Sequence, residues 1–82
     1  LPIFVIDRTF IDADSGIRWV IDYKTSRPAD GEALADFLAR EEVAYRGQLA
    51  SYGTAISALG EEPVTTALYF AGLGHLHLVP AV

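Results

Sequence analysis

The chain has 82 residues, of which 51% are hydrophobic, so it is a single small domain and too apolar for a disordered segment. It has no cysteine, which excludes disulfides and thiolate metal sites from this segment and weakly favours a reducing compartment. No apolar run reaches the roughly 18 residues of a membrane span, and no signal peptide opens the chain. We therefore expect a cytoplasmic protein without membrane contact. The net charge of −5 does not by itself suggest binding to nucleic acid.

Two strand candidates open the chain. Residues 3–11 (IFVIDRTFI) and residues 17–24 (IRWVIDYK) are rich in β-branched and aromatic side chains. The segment between them, residues 12–16 (DADSG), gathers turn formers and ends in a glycine that can take a positive φ. Two such runs across a short turn predict a β-hairpin.

A helical pattern follows a loop. Residues 25–31 contain proline, aspartate and glycine and predict a loop. From about residue 32 to residue 59 the apolar spacing becomes helical, as one long helix or as two helices joined near Arg40. Gly60 and Pro63 then stop the helix. The predicted apolar stripe contains Leu38, Tyr45, Leu49, Tyr52, Ile56 and Leu59.

One or two further strands complete the predicted fold. Residues 64–70 (VTTALYF) predict a third strand, and residues 75–79 (HLHLV) predict a short fourth strand at a sheet edge. The resulting order, β-β-α-β(-β), predicts an α/β (α+β) unit with a mixed sheet over residues 1–82.

The hairpin register determines which side chains meet. If the turn is the four residues 13–16, paired positions sum to 29 and Asp7 lies directly opposite Asp22. The opposite face then pairs aromatic and apolar residues, such as Phe10 with Trp19. Directly opposed like charges destabilise a sheet unless a cation neutralises them.

Lys24 shares the strand face of Asp22, because side chains two positions apart point the same way. Two carboxylates can hold Mg²⁺, which uses one or two carboxylates together with substrate phosphate. The ion lowers the pKa of a bound water, and a neighbouring lysine can orient that water and offset charge. The sequence therefore suggests a metal-assisted hydrolytic site, although a D-x-K triplet alone is a weak signal.

Three motifs in order resemble one known family. They are "IDR" at residues 6–8, "VIDYKTS" at residues 20–26 and "YRGQLASY" at residues 45–52. Together they resemble the RecB/AddA-type nuclease domain of the PD-(D/E)xK superfamily, found in the C-terminal part of bacterial DNA-repair helicase–nucleases. The resemblance implies a restriction-endonuclease-like core.

The resemblance also implies roles for individual residues. The catalytic residues would be Asp7, Asp22 and Lys24, with Mg²⁺ or Mn²⁺ held by Asp7, Asp22 and the backbone carbonyl of Tyr23. The helix residues Gln48 and Tyr52, with Tyr45 on the same helix face, would contact DNA or support the site.

The family context implies a larger protein. The chain would be a partial nuclease domain, a fragment that lacks the first helix of the family and its additional metal ligand. The parent would be an exodeoxyribonuclease V-like, ATP-dependent enzyme that processes DNA ends in double-strand-break repair. Its partners would be DNA, the helicase portion of the same polypeptide and a second repair subunit, and the fragment could form a homo-oligomer. The alternative is a nuclease-like DNA-binding or structural module without catalysis, and the isolated fragment need not be active.

Other polar residues have simpler interpretations. His75 and His77 alternate on a predicted edge strand, and a solvated edge is favoured over a metal pair. Glu41 and Glu42 are interpreted as a solvated helix face.

Overall fold

Four strands and one helix make up residues 6–80, which are the residues that this computed structural model describes. The element order confirms the predicted α+β class, with an N-terminal hairpin, one long helix and two further strands. The elements are β1 (Arg8–Ile11), β2 (Arg18–Lys24), α1 (Leu34–Ser57), β3 (Val64–Phe70) and β4 (His75–Leu78).

The hairpin has the predicted register. Pairs such as Arg8 with Ile21 sum to 29, and the turn is closed by the N–H of Asp12, which donates to Ile17 O at 2.9 Å. Gly16 takes a φ of +72°, which a residue without a Cβ adopts at little cost. Strand β1 is shorter than predicted, because pairing stops at Arg8, and residues 3–5 of the predicted strand lie outside the described residues.

Strands β2 and β3 are parallel neighbours in a sheet of order β1-β2-β3-β4, and α1 connects them. Their register places Lys24 beside Phe70, the last residues of the two strands. The carboxyl ends of β2 and β3 therefore meet at one edge of the sheet. In open sheets with parallel strands, such an edge is where ligands usually bind.

Helix α1 covers one face of the sheet and forms the core with it. Alternation along β2 puts Val20, Asp22 and Lys24 on this face, where Val20 is fully buried. Asp22 and Lys24 thus follow the core residue Val20 along the same face of β2, towards the carboxyl end of the strand. The core cluster contains Val20, Phe37, Leu49, Tyr52, Leu68, Phe70 and Val79.

The opposite face of the sheet is the apolar face that the hairpin register predicts. It carries Phe10 and Trp19, and the rings of Tyr23 and Tyr69 meet edge to face with centroids 5.8 Å apart. No element among residues 6–80 packs over this face, because α1 lies on the face that carries Asp22.

The helix is a single element, and its buried stripe differs from the predicted one. Leu59 lies beyond the helix and is 83% exposed, so its place in the stripe is wrong. Phe37, which the predicted stripe omits, is fully buried, and Glu41 one turn later is buried as well. The solvated-face interpretation is therefore wrong for Glu41. Within residues 6–80, no helix has the length and apolar character that crossing a membrane requires.

Replacing Phe37 by alanine tests the core contact between α1 and the sheet. The Phe37 ring packs edge to face on Phe70 with centroids 5.1 Å apart. We expect Phe37→Ala to lower the free energy of unfolding by about 3–5 kcal/mol, since it leaves a cavity. Denaturant unfolding followed by circular dichroism measures this change. Val43→Ala on the same helix, at a site 69% exposed, should change it by less than about 0.5 kcal/mol, and equal losses in the two variants would contradict the packing.

Candidate metal centre

Asp7 lies where the pairing of β1 with β2 stops. The backbone N–H of Tyr23 donates to Oδ2 of Asp7 at 2.8 Å, in the place where the next strand partner would accept. The carboxylate thus satisfies a strand N–H that would otherwise lack a partner. This bond fixes the side chain of an exposed residue beside β2.

Asp22 meets Asp7 from the neighbouring strand. Asp22 is only 8% exposed, and the two carboxyl groups lie close enough to share a hydrogen bond when one is protonated. Burial raises the pKa of Asp22, and the Asp7 carboxyl raises it further. The contact with Asp22, followed by the Tyr23 N–H, lowers the pKa of Asp7. The contact therefore separates the pKa values of the two acids, with that of Asp7 lowered and that of Asp22 raised.

Lys24 adds a positive charge to the two acids. Its Nζ lies 2.9 Å from Oδ2 of Asp22 and 3.6 Å from the ring centroid of Tyr45. Burial lowers the pKa of Lys24, but the attraction of Asp22 outweighs burial, so the pKa of Lys24 is raised above its ordinary value. The side chain is therefore an ammonium at neutral pH.

The carbonyl of Tyr23 points to the same side of β2 as its N–H. The N–H and C=O groups of one strand residue point to the same neighbouring strand, and those of the next residue point to the opposite one. The Lys24 carbonyl accepts from the N–H of Ala71, so the groups of Lys24 point towards β3. Tyr23 therefore directs both groups to the opposite, β1 side, where the strand pairing of the described residues ends at Arg8. This direction is compatible with the predicted ligand role of the carbonyl.

The helix motif lies on the sheet-facing side of α1. Gln48 Nε2 donates to the hydroxyl of Tyr52 at 2.5 Å, and Tyr52 is buried in the core cluster. Gln48 itself is exposed, so the bond leaves its amide oxygen for other contacts. Tyr45 is half-buried one turn earlier and contacts Lys24 directly. Tyr45 therefore joins α1 to the lysine that pairs with Asp22.

The donor set suits a hard divalent cation. Oδ2 of Asp22 is shielded from solvent and has no well-aligned hydrogen-bond donor, although the ammonium of Lys24 pairs with it electrostatically. A buried carboxylate oxygen in that state is available to a cation that prefers oxygen ligands. Among residues 6–80, no set of three or more histidine, cysteine or acidic side chains is placed to hold a metal ion. The two aspartates are therefore the side-chain ligands that the described residues offer.

Two polar groups are buried although the sequence was not interpreted in that way. Ser26 follows Lys24 by two residues, and its Oγ is buried without a hydrogen-bond partner. Glu41 lies four residues before Tyr45 and four after Phe37. That helical spacing places Glu41 on the sheet-facing side, and the spacing could have identified it. No sequence signal marks Ser26.

The histidines of β4 face α1. Nε2 of His77 lies 2.9 Å from Oε1 of Glu42, which also pairs with Arg46 at 3.0 Å. His75 and His77 are half-buried while the alternating leucines are exposed, so the solvated-edge interpretation is wrong for the histidines. The register causes this, since His77 pairs with the buried Leu68 and shares its face. His77 helps to join β4 to the helix through Glu42.

The family assignment rests on a match over nearly the whole chain. A model of the PD-(D/E)XK nuclease superfamily matches residues 5–77. The chain belongs to the PD-(D/E)XK nuclease superfamily. The match includes both aspartates, Lys24 and the helix motif, and members of this superfamily generally use divalent metal ions. No curated protein and no solved structure matches the chain significantly.

The contact between the two aspartates has a measurable consequence for the pKa of Asp22. Asp7→Asn should lower that pKa in the metal-free protein, because the Asp7 carboxyl raises it. Lys24→Met should raise it further, because the ammonium favours the ionised form. Carbon-detected NMR titration of the Asp22 carboxyl measures both shifts. Asp14→Asn in the exposed turn is the control, and an unmoved pKa in both site variants would show that the three groups are not in contact.

Proposed function

We propose that this domain hydrolyses phosphodiester bonds of DNA with Mg²⁺ or Mn²⁺, using Asp7, Asp22 and Lys24. The observation that carries the proposal is the meeting of two carboxylates and an ammonium at the carboxyl end of β2. Superfamily membership makes a nuclease the first expectation for such a cluster. Superfamily membership is a finding, whereas the ion, the substrate and the roles of the three residues are proposed here.

Asp7, Asp22 and the carbonyl of Tyr23 are the proposed metal ligands. Asp22 offers its shielded Oδ2, Asp7 is already fixed by the Tyr23 N–H, and the Tyr23 carbonyl points to the same edge. A bound divalent ion supplies Lewis acidity, which activates water and offsets charge on the phosphate.

Lys24 is proposed to orient the attacking water and to offset charge on the phosphate. Because its pKa is raised, the side chain carries a proton at neutral pH and acts as a hydrogen-bond donor. A fixed donor at the place where negative charge develops stabilises the transition state. Proton abstraction by Lys24 is less favoured, since the ion pair with Asp22 keeps the amine protonated.

Gln48 and Tyr52 are proposed to support the DNA-facing side of the site. The bond from Gln48 to the buried Tyr52 hydroxyl limits the movement of an otherwise exposed amide. A fixed amide can donate to or accept from a phosphate or a base. Their contribution would be to substrate position and not to the chemical step.

The proposed context is a RecB/AddA-type helicase–nuclease of the bacterial cytoplasm that processes DNA ends in double-strand-break repair. The support is the order of the motifs at residues 6–8, 20–26 and 45–52 within the matched region. In that context the parent would be an exodeoxyribonuclease V-like enzyme with an ATP-dependent helicase portion and a second repair subunit. DNA would be the substrate, and the remaining metal ligand would come from a helix outside these 82 residues.

A second candidate is a module that binds DNA or supports a larger assembly without cleaving it. The observation that favours it is the ligand count: within residues 6–80, acidic side chains supply two metal ligands and no third. A site with two carboxylates and a backbone carbonyl can bind a divalent ion weakly and still fail to turn over.

Substitutions at Asp22 and Lys24 test the nuclease proposal in the full natural polypeptide. Asp22→Asn removes a metal ligand, and Lys24→Ala removes the fixed donor. We expect each to lower the rate of DNA cleavage on the order of 10²–10³-fold or more. ATP-driven unwinding should persist, because the helicase chemistry lies elsewhere.

The matched control for Asp22→Asn is Asp14→Asn, which makes the same change in the exposed hairpin turn. Cleavage of a labelled duplex and unwinding are measured on the same preparations. Cleavage by Asp22→Asn or Lys24→Ala at the rate of the Asp14→Asn control would reject the assignment of these residues.

Titration with Mn²⁺ tests whether the folded protein binds a divalent ion at the two aspartates, which both candidates with a metal site require and a purely structural module does not. We expect calorimetric binding to the folded protein, lost in Asp22→Asn, with an affinity that rises with pH through the raised pKa of Asp22, because the ion displaces its proton. Absence of binding to a sample shown to be folded by circular dichroism would instead favour the structural module.

A further inference from the structure

We infer that Tyr45 is a positioning residue that holds the ammonium of Lys24 against the face of its ring. The inference deepens the proposed function and rests on it, because it assigns Tyr45 a specific task at the same site. The contact is a cation–π arrangement, with Nζ of Lys24 3.6 Å from the ring centroid.

The ammonium is held from two sides by two different elements. Asp22 comes from the same strand as Lys24, and its Oδ2 lies 2.9 Å from Nζ. Tyr45 comes from α1, which covers that face of the sheet. Two contacts from different elements define a position, whereas one contact leaves a flexible four-carbon side chain free to rotate about it.

The contact between Lys24 and the Tyr45 ring persists when Asp22 binds a divalent ion. A carboxylate that binds a divalent ion gives up much of its attraction for a neighbouring ammonium, and the ion also repels that ammonium. The face of a tyrosine ring is uncharged and its attraction for a cation does not depend on Asp22. Tyr45 therefore keeps Lys24 beside the site under the conditions in which the lysine has to act.

The helix holds the ring in place. Tyr45 packs against the core cluster, and the buried Glu41 lies one turn before it on the same side of α1. Neighbouring residues of the helix also tie it to the sheet, since Glu42 binds His77 of β4. A ring fixed by its own packing loses little entropy when it positions another group.

A structural role alone predicts a different result from a positioning role. If Tyr45 only fills space, Tyr45→Leu should lower the free energy of unfolding, because leucine is smaller, without changing the Lys24 resonance or kcat. If its ring holds Lys24, then Tyr45→Phe keeps the function and Tyr45→Leu loses it. The pair of variants therefore isolates the aromatic face.

NMR of the folded protein without metal tests the contact itself. Because Nζ of Lys24 lies 3.6 Å from the Tyr45 ring centroid, the adjacent ε-methylene protons should show an upfield ring-current shift. That shift should remain in Tyr45→Phe and disappear in Tyr45→Leu. A Lys24 resonance at its random-coil position in the unsubstituted protein would overturn the inference, whatever the enzyme assay shows.

DNA cleavage by the full natural polypeptide tests the consequence. Tyr45→Leu should lower kcat by about 2- to 30-fold with little change in KM, which is the worth of a cation–π contact expressed as a rate. Tyr45→Phe should restore the rate. Equal rates for the leucine and phenylalanine variants would overturn the positioning role.

The matched control is Phe10→Leu, which removes the ring under Arg8, 5.1 Å from its centroid, on the opposite face of the sheet. This variant should cleave at the unsubstituted rate. If the unsubstituted polypeptide does not cleave DNA with Mg²⁺ or Mn²⁺, the proposed function fails and the inference falls with it. If the polypeptide cleaves and Tyr45→Leu cleaves equally well, only the inference fails.

Discussion

The hydrogen bond from the Tyr23 N–H to Asp7 Oδ2 is the interaction on which the arrangement of the acids depends. Among the described residues, β1 stops pairing at Arg8, and this bond takes the place of the next backbone partner. It holds the Asp7 side chain beside β2, where its carboxyl group meets that of Asp22. The hairpin turn determines the register, which places Asp7 opposite Asp22, and the hydrogen bond holds Asp7 there so that the two carboxyl groups meet.

Burying Asp22 beside Asp7 lowers the stability of the folded protein at neutral pH, and the ion pair with Lys24 offsets part of this loss. The pKa of Asp22 is raised above 3.8, so the folded protein holds that proton more tightly than the unfolded chain does. The contribution of Asp22 to the free energy of unfolding is fully present below pH 3.8, and it is lost as the pH rises through the pKa of Asp22 in the folded protein. The raised pKa of Lys24 acts the other way at neutral pH, because its ion pair persists until the pH passes above 10.5. The site is thus poised to gain stability from a cation.

The sequence predicted the local elements well because their signals are local. The hairpin register followed from one turn length, and the bounds of β3 agree with the predicted residues 64–70. It also predicted that Asp7 and Asp22 would meet, since strand periodicity and register are enough to decide this. It could not predict which sheet face α1 would cover, because that depends on crossover and packing between distant segments. For that reason it assigned Glu42 and His77 to solvent, although they pair across α1 and β4.

The same packing explains why the face that carries the proposed site is also the core face. Strands that bury one face usually keep charges on the other, yet here Val20, Asp22 and Lys24 form one row. The row changes from core to site as it approaches the carboxyl end of β2, where α1 leaves room for polar groups between Tyr45 and the sheet. A charged pair placed there is shielded on one side by the core and partly exposed on the other. Shielding strengthens the electrostatic contacts, and in the proposed nuclease the exposed side would admit a phosphate, so the position of the helix would determine both properties.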